Sequence, residues 1–444
     1  MTTTEEITQG EQTTPDTHPA SFQRHLLPNG LSVITKEVHS APVVSFWLWY
    51  GVGARNEHAG ITGISHWVEH MMFKGTQNLG KGQIMQMVAE NGGTLNAFTS
   101  DDWTTYFETL PSDRLDLALQ IEADRMMNSL FDPDEVASER TVIISEREGS
   151  ENEPDRLLDE DVSAAAFKVH PYGGGVIGWK CDLRTMTRDD LYNHYKTYYA
   201  PNNATMVVVG DFDTTELLQK VHNLFGGYAK SDSIPAVRAI EPEQLGERRV
   251  KVEAPGTVAQ LQVVYHTPSA ASPDIYPLMV ADALLSGAKP LGMGGGGGRS
   301  ARLYKAMVAT EIAASVGSYF SLHKDPHLFT LGASAKAGDS HIESLQKMEA
   351  ALFEEIRKLQ EEEISQEELD KAVRQSRAQF VYSSDSMTNQ AYVLGYLESI
   401  YSANMYDEAL EKLAAVTPEE VKRVALTYLT EKNRTVGWFV PTES

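Results

Sequence analysis

The chain is predicted to fold as two homologous α+β halves, and three observations carry that prediction. Met186-Thr187-Arg188-Asp189-Asp190-Leu191 recurs 230 residues later as Val416-Thr417-Pro418-Glu419-Glu420-Val421. The same offset lays Thr197-Tyr198 over Thr427-Tyr428, Asn203 over Asn433 and Thr205 over Thr435, while a shift of 233 lays Phe131-Asp132-Pro133-Asp134-Glu135-Val136 over Ile364-Ser365-Gln366-Glu367-Glu368-Leu369. Finally, each of the two copies related by the 230-residue offset reads as a capped helix feeding a strand, Val207 to Val209 in the first and Val436 to Val440 in the second. A duplicated unit is the simplest account, and 444 residues are too many for one ordinary core.

Residues 1–20 are rich in Thr, Glu, Gln and Pro and have neither the basic start nor the apolar run of a secretory leader. They are expected to be a disordered tail. The first domain is set at 21–230 and opens with the strand-like run Val43 to Trp49. A polar stretch with two prolines and no sustained periodicity, 231–246, reads as a linker. The second domain, 247–444, opens with the strand-like Leu261 to Tyr265 and contains a long helical run from His341 to Gln360. The five glycines Gly294 to Gly298 lack the strand–turn–helix setting of a dinucleotide site. They read either as a flexible loop capping the next helix, Ser300 to Tyr304, or as a mobile loop that touches substrate.

With 38 basic against 62 acidic residues the net charge is -24, which argues against nucleic acid and anionic membrane surfaces as partners. Basic or neutral peptides fit better. No apolar run reaches transmembrane length. The expected compartment is the cytoplasm, or the periplasm if a leader has been removed. The single cysteine, Cys181, excludes an intrachain disulfide framework and is expected to be a buried filler.

Chemistry concentrates in His66-Trp67-Val68-Glu69-His70. On a helix the two histidines fall about 40° apart around the axis, and Glu69 about 60° to the other side of His66. Two neutral imidazoles on one face can grip a divalent metal, and Glu69 can take a proton from a water that the metal activates. This is the inverted zinc motif H-x-x-E-H. A catalytic zinc site takes three protein ligands, so one more must come from elsewhere. Glu139 and Glu146 lie seven apart on one helical face and are both candidates, and spacing does not choose between them.

Other motifs follow in order: Phe73-Lys74-Gly75-Thr76, Gly92-Gly93-Thr94-Leu95-Asn96-Ala97-Phe98-Thr99, Thr105-Tyr106, His170-Pro171-Tyr172-Gly173 and Val207-Val208-Val209-Gly210-Asp211. From Leu26 to Trp438 the chain resembles the pitrilysin (insulinase) metallopeptidases, in their short two-domain branch. The resemblance implies two halves that are each a mostly antiparallel sheet covered by helices, with a catalytic first half. It implies zinc held by His66, His70 and Glu146, Glu69 as general base and Glu139 as a carboxylate supporting the ligands. It also implies that Asn96 and its neighbours Ala97, Phe98 and Thr99 hold a peptide substrate at a sheet edge.

Single-chain active relatives carry an arginine and, six residues later, a tyrosine in the second half; here those positions fall on Val308 and Ala314. Neither side chain can donate a hydrogen bond to a developing oxyanion. By resemblance this chain is the zinc-bearing half of a heterodimer whose homologous partner supplies the arginine–tyrosine pair. The rival reading is a non-catalytic scaffold subunit, which need not bind stoichiometric zinc.

Overall fold

In the computed structural model, which describes residues 21–290, 298–383 and 385–442, each half is one sheet covered by helices. The first half runs β1 (Gln23–Leu26), β2 (Ser32–Glu37), β3 (Val43–Tyr50), α1 (Ile64–Met71), α2 (Gln83–Glu90), β4 (Thr94–Thr99) and β5 (Thr104–Pro111). It continues with α3 (Leu115–Asn128), α4 (Pro133–Ser150), α5 (Pro154–Ala166), α6 (Lys180–Thr185), α7 (Arg188–Tyr198), β6 (Ala204–Gly210) and α8 (Thr214–Phe225). The second half runs β7 (Arg248–Pro255), β8 (Gln260–Thr267), α9 (Ile275–Ser286), β9 (Ser315–Phe320), β10 (His327–Ser334) and α10 (His341–Glu361). It closes with α11 (Gln366–Ser383), α12 (Met387–Ile400), α13 (Met405–Ala414), α14 (Pro418–Tyr428) and β11 (Arg434–Thr442).

The sheet orders are β1-β2-β6-β3-β5-β4 and β7-β11-β8-β10-β9. In each, one strand pair is parallel (β2 with β6, β7 with β11) and the others are antiparallel. The repeat read from the sequence is physical. α7 and α14 begin at equivalent positions, each with a capping box, Thr187 with Asp190 and Thr417 with Glu420. The box satisfies the orphan N–H groups of the first turn and stops the helix from extending backwards.

Side chains alternate across β3, as a pleated strand requires. Phe46, Leu48 and Tyr50 enter the core under the first half's own helices, while Trp47 and Trp49 enter the other large core. That second core is built mainly from second-half helices. The halves exchange helices: α12 crosses onto β3 and β6 of the first sheet, and α5 packs on β7, β8 and β11 of the second. The two exchanged helices begin 233 residues apart, at Pro154 and Met387, so the exchange is itself part of the repeat.

The approach of α12 to the first sheet demands a glycine. A Cβ on Gly395 would lie 2.0 Å from Nε1 of Trp49, and that indole cannot swing away because Trp47 and Trp103 pack against it. Gly395→Ala should gain a few tenths to about 1 kcal/mol of helix propensity but lose about 1–3 kcal/mol to overpacking. Net destabilisation in a urea titration is the expected outcome; a stabilised variant would mean the interface yields.

The stretch between Phe225 and Arg248 contains no helix or strand, yet it is tied down. The Glu241 carboxylate accepts from the backbone N–H groups of Lys168, Val169 and His170 at 2.8–3.1 Å. Cys181 departs from expectation: it is exposed, with Sγ donating to Asp182 Oδ1 at 3.4 Å, because α6 turns that face outward and buries Asp182 and Leu183. The N-terminal tail and Gly294 to Gly297 lie outside the described residues. Gly298 donates its N–H to the Ser286 carbonyl at 3.0 Å. No helix among the described residues is long and apolar enough to cross a membrane.

Candidate metal and catalytic site

The loop before α1 fixes the helix that bears the motif. Gly63 adopts φ +84°, and a Cβ there would lie 2.4 Å from the Ile177 carbonyl, so both conformation and space require glycine. With no capping side chain at Gly63, the buried Glu57 serves the helix start instead. Its carboxylate accepts from Gly63 N at 2.6 Å and Ser65 N at 2.9 Å. Trp67, Val68 and Met71 sink into the core, while His66 and Glu69 line a cleft.

Opposite α1 runs α4, started by Pro133 and by Asp132, whose side chain accepts from Asp134 N and Glu135 N. Its two candidate glutamates do different things. Glu139 Oε1 accepts from Nδ1 of His70 at 2.8 Å, and Lys74 pairs with its other oxygen. A carboxylate acceptor assigns the proton to Nδ1 and leaves the lone pair on Nε2. Burial alone would raise the Glu139 carboxyl, but Lys74 and His70 outweigh it and hold the group below the usual carboxylate range. Glu146, one face-turn further on, brings Oε2 to 3.9 Å from His66 Nε2 and 3.8 Å from His70 Nε2.

The two Nε2 atoms are 3.2 Å apart. Burial, reinforced by the neighbouring His70, pushes His66 down to about 4, so its ring is neutral near pH 7. The two rings bring their Nε2 atoms together beside the Glu146 carboxylate, an arrangement that suits a cation between them. Tetrahedral zinc with bonds of about 2.0–2.1 Å needs donors roughly 3.4 Å apart, and the three separations bracket that value. His66, His70 and Glu146 could thus hold a divalent metal at the cleft, which His66 and Glu146 line.

Glu69 stands beside this set. Thr99 Oγ1 donates to its Oε2 at 2.6 Å. Burial raises the carboxyl above its ordinary range despite that bond, which makes Glu69 a stronger proton acceptor than a surface glutamate.

The cleft has a volume of about 660 Å³ and takes its walls from both halves, with Glu69, Thr99 and Glu146 on one side and His327, Leu328 and Thr330 on the other. β4 is the edge strand of its sheet, so one side of its backbone is unpaired. Asn96 is exposed on it, its Oδ1 accepting from Ala97 N at 2.9 Å. Ala97 and Phe98 line the cleft; Ala97 is otherwise buried and Phe98 stacks on Phe107. The Thr99 hydroxyl is occupied by Glu69, a use the sequence reading did not foresee. Nor did it foresee Lys74, which lies beyond the end of α1, where helical spacing gives no signal. Val308 ends a π-helical turn and Ala314 is exposed just before β9; neither is among the described residues lining the cleft.

Known proteins match this chain over most of its length. Residues 32–179 match the insulinase family, peptidase family M16, and residues 185–376 match the M16 inactive domain. Over 371 residues the chain is 31% identical to the zinc protease PqqE of Helicobacter pylori, spanning 82% of this chain and 80% of that one. This chain belongs to the M16 peptidase family. It is also 26% identical to the mitochondrial-processing peptidase subunit beta of Blastocladiella emersonii, over 94% of this chain and 88% of the relative. Among solved structures, a protease from Helicobacter pylori superposes with a TM-score of 0.88 at 28% identity, covering 95% of this chain and 99% of that one. An M16 inactive-domain structure from Pseudomonas fluorescens shares the fold, with a TM-score of 0.83 at 17% identity over 96% and 99% of the two chains. The inactive-domain match falls mainly on the half of the M16 chain that lacks H-x-x-E-H.

Proposed function

We propose that this M16 chain is a zinc endopeptidase subunit that hydrolyses peptides or unfolded segments and works with a homologous second subunit. The observation that carries the reading is the convergence of His66 Nε2, His70 Nε2 and Glu146 Oε2 beside a buried Glu69, on a cleft walled by both halves. His66, His70 and Glu146 would hold the ion, and zinc bound there supplies Lewis-acid polarisation of a peptide carbonyl and acidifies a water molecule.

The chain's own groups do the rest. Glu69 receives the proton of the attacking water and can return it to the leaving amine, with Thr99 keeping one carboxylate oxygen in place. Glu139 orients His70 through Nδ1 and is itself held by Lys74. The unpaired edge of β4 accepts an extended peptide as an additional strand, which makes recognition depend on backbone more than on side chains. Asn96, Ala97 and Phe98 lie along that edge. The names of the relatives, a zinc protease and a processing-peptidase subunit, support the class of reaction. Val308 and Ala314 support the two-subunit form, because neither offers a donor to a developing oxyanion.

The test is cleavage of an unstructured peptide by the zinc-loaded chain, alone and mixed with a homologous chain that lacks H-x-x-E-H. Hydrolysis abolished by a chelator is expected, with the mixture far more active. Stoichiometric zinc without cleavage in either case would refute the peptidase reading. Within it, Glu139→Gln should weaken zinc binding by about 10–100-fold, since outer partners of ligating histidines contribute that much. Competition with a chromogenic chelator measures it; unchanged affinity would remove Glu139 from its supporting role.

A further inference from the structure

The free edge of β4 is partly occupied by one of its own side chains. Which backbone groups face that edge follows from register. Asn96, Ala97 and Phe98 lie opposite Phe107, Tyr106 and Thr105 of β5. One step past the paired strands, Ser100 N donates to the Trp103 carbonyl at 2.8 Å. In an antiparallel ladder, hydrogen-bonded and non-bonded pairs alternate. Counting back from the bonded Ser100–Trp103 pair, Phe98, Asn96 and Thr94 turn their N–H and C=O groups toward β5. Thr99, Ala97 and Leu95 turn theirs to the free edge.

The middle donor of that outward row is already taken. Asn96 Oδ1 accepts from Ala97 N at 2.9 Å, which agrees with this N–H lying outside the ladder. Ala97 is buried whereas Asn96 is exposed, so the carboxamide satisfies a donor that would be costly to leave unpaired. A peptide that adds to β4 as a further strand must place a carbonyl of its own on the same N–H. The Asn96 oxygen and the peptide carbonyl therefore compete for one hydrogen.

We propose that the Asn96 carboxamide is a self-cap on the substrate edge, holding Ala97 N–H until the carbonyl of an extended peptide displaces it. This rests on the strand-addition reading of β4 given above and concerns the chain before a peptide arrives. Only the uncapped fraction of molecules can pair, so the apparent association rate is the intrinsic rate multiplied by that fraction. A ligand that offers side chains without extended backbone has no carbonyl to exchange for the cap, so the device favours unfolded segments over folded surfaces. Thr99, two residues further along the same outward row, holds Glu69 through its hydroxyl, so a strand paired at Ala97 continues toward the proposed base.

The experiment is stopped-flow association of a neutral, unstructured peptide with the full-length Glu69→Gln chain, which reads binding without cleavage. The same chain carrying Asn96→Ala or Asn96→Asp is compared with it, and circular dichroism confirms that each folds. Loss of the cap in Asn96→Ala should raise the association rate about two- to tenfold, the range that one intramolecular hydrogen bond supports. Asn96→Asp presents a charged oxygen to the same N–H, a stronger bond, and should associate more slowly than the asparagine chain. Before any peptide is added, hydrogen exchange across β4, residues 95–99, should be faster in Asn96→Ala. Unchanged exchange there, or any order of rates other than alanine over asparagine over aspartate, would overturn the proposal, as would absence of binding to all three chains. A chain that shows this order yet never hydrolyses peptide fails as a peptidase while the self-cap stands.

Discussion

Glu69→Gln should leave the protein folded and zinc-loaded while lowering peptide hydrolysis by about 10²–10⁴-fold, the usual contribution of a positioned general base. Glu69 is outside the donor set formed by His66, His70 and Glu146, so metal stoichiometry should not change. The glutamine carbonyl can still accept from Thr99 Oγ1, which now donates at 2.6 Å, so the side chain should keep its position. What disappears is the lone pair that burial has made more basic. Zinc content and kcat/KM on one peptide check both halves of the expectation. Turnover within tenfold of the wild type, with zinc retained, would remove Glu69 from the role. His66→Ala is the complementary variant, since it should lose zinc and activity together.

The contrast between local and distant information explains how much of this was legible in the sequence. Capping boxes are written in four consecutive residues, so Thr187 and Thr417 announced both their helices and the duplication. His66, Glu69 and His70 are one helical turn, and their common face follows from 3.6-residue periodicity. The third donor was different. Glu139 and Glu146 share a face of α4, and only three-dimensional distances separate them, His70 Nδ1 to Glu139 and the two Nε2 atoms to Glu146. Helix exchange left no local mark at all: α5 is amphipathic in the ordinary way, and nothing in Leu158 or Val162 says whose sheet they cover. The Asp101–His323 contact spans 222 residues, and no spacing rule reaches that far. Cys181 failed for a related reason, because a residue-type preference for burial cannot say which side of a short helix faces water.

A second large effect is expected from a residue that touches none of His66, His70 and Glu146. Arg125 on α3 is completely buried with Glu122, one turn away, and Glu108 of β5. Its Nη2 lies 3.3 Å from Glu108 Oε1 and closer still to Glu122, and its guanidinium rests 4.6 Å above Tyr106 and 5.0 Å above Phe73. Three ionised groups there would leave a net buried charge. Burial and the adjacent Glu122 instead push Glu108 well above the carboxylate range, more than Arg125 can offset. One cation faces two buried carboxyls, so a single proton balances the group, and Glu108, the carboxyl pushed upward, is where it is expected. Arg125→Met removes the only cation and strands Glu122, which should cost about 3–5 kcal/mol. Glu108→Gln replaces one neutral hydrogen-bonding group by another and should cost no more than about 1 kcal/mol. Urea midpoints at unchanged slope decide between them. If Glu108→Gln proves as damaging as Arg125→Met, Glu108 is ionised and the charge balance beneath α1 is of a different kind. Phe73 follows the motif helix directly, so the Arg125 variant should also lose zinc affinity as the layer under His66 and His70 loosens.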